Sequence, residues 1–193
     1  MRSFFTLGAF LLCVACATGQ ENPLNMRYDL PYNPDFYSQK TPKDALTSVI
    51  LAIERKETQY LAAHLLDPTF IDERLKATQE YYERFAAEQL AKMGSEGSLT
   101  GAALQARIRQ KGTIYNFNNL STLIQKKLAD EPDNFKEMRQ FLRSGEITED
   151  GETAKIAMKD VKDRALYFKK IGSRWYLENR KEEIKPKEEP KKE

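Results

Sequence analysis

The pattern of apolar residues predicts an α+β fold, with N-terminal helices packed on one face of a C-terminal antiparallel β-meander. Two observations carry this reading. Over residues 41–143 apolar side chains recur near every 3.6 positions, and over residues 146–179 the period drops to 2, with Asp150-Gly151 as a hairpin turn between alternating runs. A third sets the scale: 193 residues suit one domain with appendages and can bury a real core.

The first residues read as a targeting signal. Arg2 supplies a positive charge, residues 4–14 are apolar except for Thr6 and Gly8, and Ala15-Cys16-Ala17 sets small residues at A-x-A cleavage positions. The run is shorter than the roughly 20 apolar residues of a membrane helix. Cys13-Val14-Ala15-Cys16 also resembles a bacterial lipobox with Cys16 as the lipidated residue, although Cys13 stands where leucine is usual. Residues 1–17 are thus expected to be a signal peptide, and the protein periplasmic, secreted or lipid-anchored in the cell envelope. Cleavage after Ala17 leaves a mature chain without cysteine, and so without a disulfide.

Residues 18–40 mix Pro23, Pro31 and Pro34 with Tyr28, Tyr32, Phe36 and Tyr37 and show neither period; an extended linker that lays its aromatics on the domain surface is expected. Thr41-Pro42-Lys43-Asp44 then opens a helix with a capping hydroxyl, a proline in the first turn and an acid beside it, and Leu46, Val49, Ile50 and Ile53 form its stripe. Thr58 is placed as the cap of a second helix bearing Tyr60, Leu61, Leu65 and Leu66, which Asp67-Pro68 ends. One long helix is expected over residues 70–93, supported by the acid-first pairs Asp72–Lys76 and Glu80–Arg84. Residues 94–98 form a Gly/Ser break. A helix over 100–111 closed by Gly112, another over 119–129 and a last over 132–143 stopped at Gly145 complete the helical part. The strands follow over 146–148, 153–159, 164–171 and 174–179, so the domain spans 41–179. Residues 180–193 carry six basic and five acidic side chains with two prolines, a composition expected to form a disordered tail.

Three stretches resemble the nuclear-transport-factor-like (cystatin-like α+β cone) superfamily: the opening Thr41-Pro42-Lys43-Asp44-Ala45-Leu46 with its partner ending Leu65-Leu66-Asp67-Pro68, the hairpin Gly151-Glu152-Thr153-Ala154, and the ending Lys169-Lys170-Ile171-Gly172-Ser173-Arg174-Trp175-Tyr176-Leu177. The resemblance covers residues 41–179 and is structural. It implies helices over a curved sheet, as in many exported bacterial proteins, and brings no activity with it, since the likeness is to uncharacterised secreted members. Some members are isomerases, dehydratases or cyclases with an Asp/His or Asp/Tyr pair in the cone. The helical stretch 97–143 exceeds a minimal cone and is read as an insertion or as a different α+β arrangement.

Composition narrows the chemistry. A net charge of +2 offers no bulk attraction for nucleic acid, and none is expected as a partner. One histidine and two N-terminal cysteines exclude zinc knuckles, Cys–His nucleophiles and His-based metal triads, so no metal or cofactor is expected. His64, four residues after Tyr60 on the second helix, is the candidate proton carrier of a pocket; the alternative is a structural histidine donating to a carbonyl. On the sheet, Ile156, Met158, Leu166, Phe168, Trp175 and Leu177 are assigned to the helix-facing side. Lys155, Lys159, Tyr167, Lys169, Arg174 and Tyr176 then share the opposite face, which suits a homodimer surface, an anionic-polymer site or an ordinary solvated face. The expectation is an exported, non-catalytic binding or interaction module whose partner is a small ligand, an envelope protein or its own copy, with contact to a membrane only through an anchor at Cys16. The alternative is a small cone-type acid–base enzyme, isomerase or dehydratase-like, with a pocket near His64.

Overall fold

The computed structural model describes residues 23–93, 100–159 and 164–180; the expected signal peptide, the Gly/Ser break at 94–98 and the expected tail beyond Arg180 lie outside them. The fold is α+β: among the described residues six helices precede a C-terminal four-stranded antiparallel sheet whose strands pair in chain order.

Helix α1 (Pro42–Glu54) begins as its sequence dictates, with the Thr41 hydroxyl accepting the Asp44 N–H at 3.1 Å. It buries Leu46, Val49 and Ile50. Helix α2 (Thr58–Tyr60) runs into a π-helical turn, Leu61–Leu65. Thr58 lies inside α2 rather than capping it; the cap position is Glu57, which makes no side-chain cap bond. Leu66 then turns extended and pairs with Leu177, while the Asp67 N–H bonds the Leu177 carbonyl at 2.9 Å. Asp67 also starts α3 (Pro68–Lys76), its carboxylate accepting the Thr69 N–H at 3.0 Å.

The helix expected over 70–93 is two helices, α3 and α4 (Gln79–Met93). Buried Asn116 explains the break. Its amide donates to the Leu75 carbonyl at 2.8 Å, a group that a continuous helix would have paired internally, and its oxygen accepts the Thr78 hydroxyl at 2.9 Å. Conversely, the two helices expected around Gly112 are one, α5 (Gly101–Asp130), 30 residues and about 45 Å long. Gly112 does not stop it. A Cβ there would lie 3.0 Å from Glu83 Cα, so the glycine lets α4 approach α5. Helix α6 (Pro132–Ser144) ends where Gly145 leaves in extended conformation.

Strands β3 (Glu146–Asp150), β4 (Thr153–Ala157), β5 (Ala165–Ile171) and β6 (Arg174–Leu177) form the meander. Asp150 pairs with Thr153, so the hairpin loop is Gly151-Glu152, one residue beyond the predicted turn, with Gly151 at φ +59°. The inner face is as assigned: Ala154, Ile156, Phe168, Trp175 and Leu177 pack with Leu46, Val49, Leu61, Leu65 and Phe141 in one core cluster. Ala62, Ala63, Ile71, Leu75 and Phe117 form a second.

The segment 23–40 is no free linker. Strands β1 (Met26–Arg27) and β2 (Leu30–Pro31) make a small ribbon whose turn residues Tyr28 and Asp29 both have positive φ. Tyr28 stacks on Phe117 at 4.1 Å, and Arg27 and Tyr28 both bond Asp72. Tyr37 and Gln39 are buried at 3% and 1% exposure. Gln39 bonds Trp175 twice, its carbonyl accepting the Trp175 N–H at 3.0 Å and its amide donating to the Trp175 carbonyl at 2.7 Å. Together with Leu66 this covers the free edge of β6, which would otherwise invite pairing with another chain. We call residues 23–40 the strap.

Candidate functional site

His64 is buried in the π-helical turn, with its Nε2 2.9 Å from the Leu30 carbonyl oxygen on β2. The Tyr60 and Tyr32 rings lie 4.9 and 5.8 Å away. Burial holds its pKa below the usual histidine value; the Leu30 carbonyl opposes this, and the Arg174 and Arg27 charges add to it. A neutral imidazole donating to a backbone carbonyl fastens the strap to the helix. Acid–base work would need a second group facing it across a reaction space, and its bonded partner here is that carbonyl. Tyr60 belongs to the same seam: its hydroxyl accepts the Asn33 N–H at 2.9 Å, its ring lies 4.3 Å from that of Tyr37, and burial pushes its pKa up to about 12.

The outer sheet face is not the open basic–tyrosine surface expected. Arg174 is buried, its guanidinium bonding the Leu24 carbonyl at 3.2 Å and Asn25 Oδ1 at 3.3 Å while stacking over Tyr32 at 4.2 Å. Tyr176 is 1% exposed and Tyr167 7%, the latter under Arg180 at 4.4 Å. Lys159 pairs with Glu146 at 2.8 Å, and Lys155 and Lys169 are half-buried. The strap and Arg180 cover what a dimer surface or polymer site would need open. Strand alternation fixed which side chains share that face but carried no sign of what lies on it.

Two concavities stand out among the described residues. A polar cleft of about 690 Å³ lies between α2 and α5, where Gln59 donates to Asn118 at 2.9 Å, with Lys56, Tyr60 and Thr122 on its walls. The other, of about 780 Å³, opens between the inner sheet face and helices α1, α3, α5 and α6. Ile53, Leu66, Phe70, Ile124, Met138 and Leu166 line it, and all six are only half-buried although they adjoin the core. Four cations and three carboxylates also line it. Arg164 pairs with Glu137 and Arg180 with Glu178, each at 2.8 Å, whereas Arg74 lies over the Phe70 ring. No local pattern signals this cavity: its α5 wall reads as an ordinary core stripe, and its other walls come from distant positions.

Among the described residues no cluster of three or more His, Cys, Asp or Glu could hold a metal ion, and no helix is long and apolar enough to cross a membrane. No family model, curated protein or solved structure matches the chain, and a reading of its function rests on this geometry.

Proposed function

We propose that the protein is a non-catalytic binding module of the cell envelope and that its site is the apolar cavity between the inner sheet face and helices α1, α3, α5 and α6. One observation carries this: a volume of about 780 Å³ walled by half-buried aliphatic and aromatic side chains, within the roughly 300–1,000 Å³ of small-ligand sites. Apolar surface left open beside a packed core gains by taking up an apolar ligand. The placement of His64 against a carbonyl supports binding over acid–base chemistry.

The test is saturable uptake of N-phenyl-1-naphthylamine, a neutral apolar reporter, by the folded full chain. Ile124→Trp should intrude on the cavity and weaken uptake without lowering the melting temperature. If wild type shows no saturable uptake, or Ile124→Trp binds equally well, the reading is wrong. Export is proposed on Arg2, the apolar run 4–14 and Ala15-Cys16-Ala17. Mass spectrometry of the protein from its native cells should find an N-terminus at Thr18 or a lipidated Cys16; a chain still starting at Met1 would refute it.

A further inference from the structure

We infer that the ligand of this cavity is a single-chain amphiphile with an anionic head, a long-chain alkyl carboxylate, held at the mouth by Arg74 and Lys127. The inference rests on the binding-module reading and adds a ligand class to it. Its basis is the charge left over on the lining. Of the four cations, Arg164 and Arg180 are engaged by Glu137 and Glu178. Arg74 and Lys127 have no ion-pair partner among the described residues, and both are exposed. The remaining lining carboxylate, Glu131, is hydrogen-bonded by the neutral Asn134 amide and keeps its charge, so four cations against three carboxylates leave the lining one net positive charge.

The spare cations stand where the apolar wall is most open. Arg74 is one turn beyond Phe70 on α3, and Lys127 is one turn beyond Leu123 on α5, whose side chain is 55% exposed at the cavity. Behind them Leu66, Ile124, Met138 and Leu166 continue the apolar surface toward the sheet. An alkyl chain satisfies those walls, and a carboxylate matches the net positive charge, which a neutral ligand leaves unmet and a cationic one opposes.

The experiment titrates the full chain calorimetrically, below micellar concentrations, with dodecanoate, 1-dodecanol and dodecyltrimethylammonium. Dodecanoate should bind one to one and about five- to tenfold tighter than dodecanol, as two partly exposed ion pairs allow. Removing methylenes should weaken binding about three- to fourfold each. Arg74→Gln/Lys127→Gln should erase the preference, bringing dodecanoate down to the affinity of dodecanol. Equal affinity for dodecanoate and dodecanol in wild type overturns the anionic head while the cavity reading stands. If neither chain binds, both fail. A preference that survives the double variant overturns the role of Arg74 and Lys127, and a dimer whose formation blocks dodecanol uptake makes the occupant a second copy.

Discussion

Gly112 and Gly145 both lack room for a side chain, and their neighbours decide what a methyl group would cost. At Gly112 the obstacle is Glu83 backbone at 3.0 Å on a separate helix, which can shift by a few tenths of an ångström. Alanine also gains about 1 kcal/mol over glycine in a helix interior, so Gly112→Ala should stay within about 1 kcal/mol of wild type. At Gly145 a methyl would overlap Ile156 Cγ2 and the Phe141 carbonyl, and no helical gain offsets it. Gly145→Ala should cost about 1–3 kcal/mol. Urea midpoints of the two variants side by side check this; equal midpoints would contradict it. His64 gives a prediction with a sign. Its folded pKa lies below the 6.5 of the unfolded chain, so the unfolded state binds more protons as pH falls. Its contribution is complete above about pH 6.5 and is lost as pH drops through the folded value. Replacing it by glutamine should flatten the fall in unfolding midpoint between pH 7 and pH 5, and an unchanged slope would remove His64 from the account.

Among elements, the strap depends most on distant partners. Arg174→Met removes two bonds from a charged donor and the stacking on Tyr32, a loss of about 2 kcal/mol in local anchoring. Amide exchange should quicken over residues 24–32 while the Gln39–Trp175 pairing stays protected; uniform quickening would mean that the strap and domain open together. The seam between strap and α2 also sets an alkaline limit. Burial, with Glu57 adding in the case of Tyr37, pushes the Tyr37 and Tyr60 hydroxyls up to about 12. The unfolded chain releases these protons near pH 10, so their contribution is whole below that and is lost as pH rises toward 12. Tyrosinate absorbance should therefore lag in the native protein and catch up on unfolding. Legibility in the sequence follows the range of the forces. Helix α1 was readable because Thr41, Pro42, Asp44 and the stripe are neighbours, and the meander because alternation is local. The strap was readable only as aromatics laid on the domain, because Gln39 finds its partner 136 residues away and Tyr28-Asp29 turns without glycine or asparagine. Gly112 misled because a glycine's local meaning is a stop, and its close approach to Glu83 exists only once α4 lies alongside.

At the scale of the whole molecule, two core clusters meet at the cavity. Leu66 and Ile124 pack against both clusters, and both line the space between them. Trp175 belongs to the first cluster and joins sheet, helices and strap, so Trp175→Ala should cost about 3–5 kcal/mol, a large share of the 5–15 kcal/mol typical of a domain. The cavity acts differently, because filling it adds contacts to both sides at once. A ligand at a hundred times its dissociation constant adds about 2.7 kcal/mol, which for a chain of this size raises the melting temperature by about 5–10 °C. Where that stabilisation appears is the sharper measurement. Leu66 follows the π-helical turn and leads into α3, and Ile124 lies on α5, so an occupant touching both should tie α3 and α5 to α1 and α6. Hydrogen exchange with dodecanoate bound should therefore slow in all four helices. Protection confined to α1 and α6 would place the ligand against one cluster alone, and the two halves of the core would then be coupled only through the turn at Leu66.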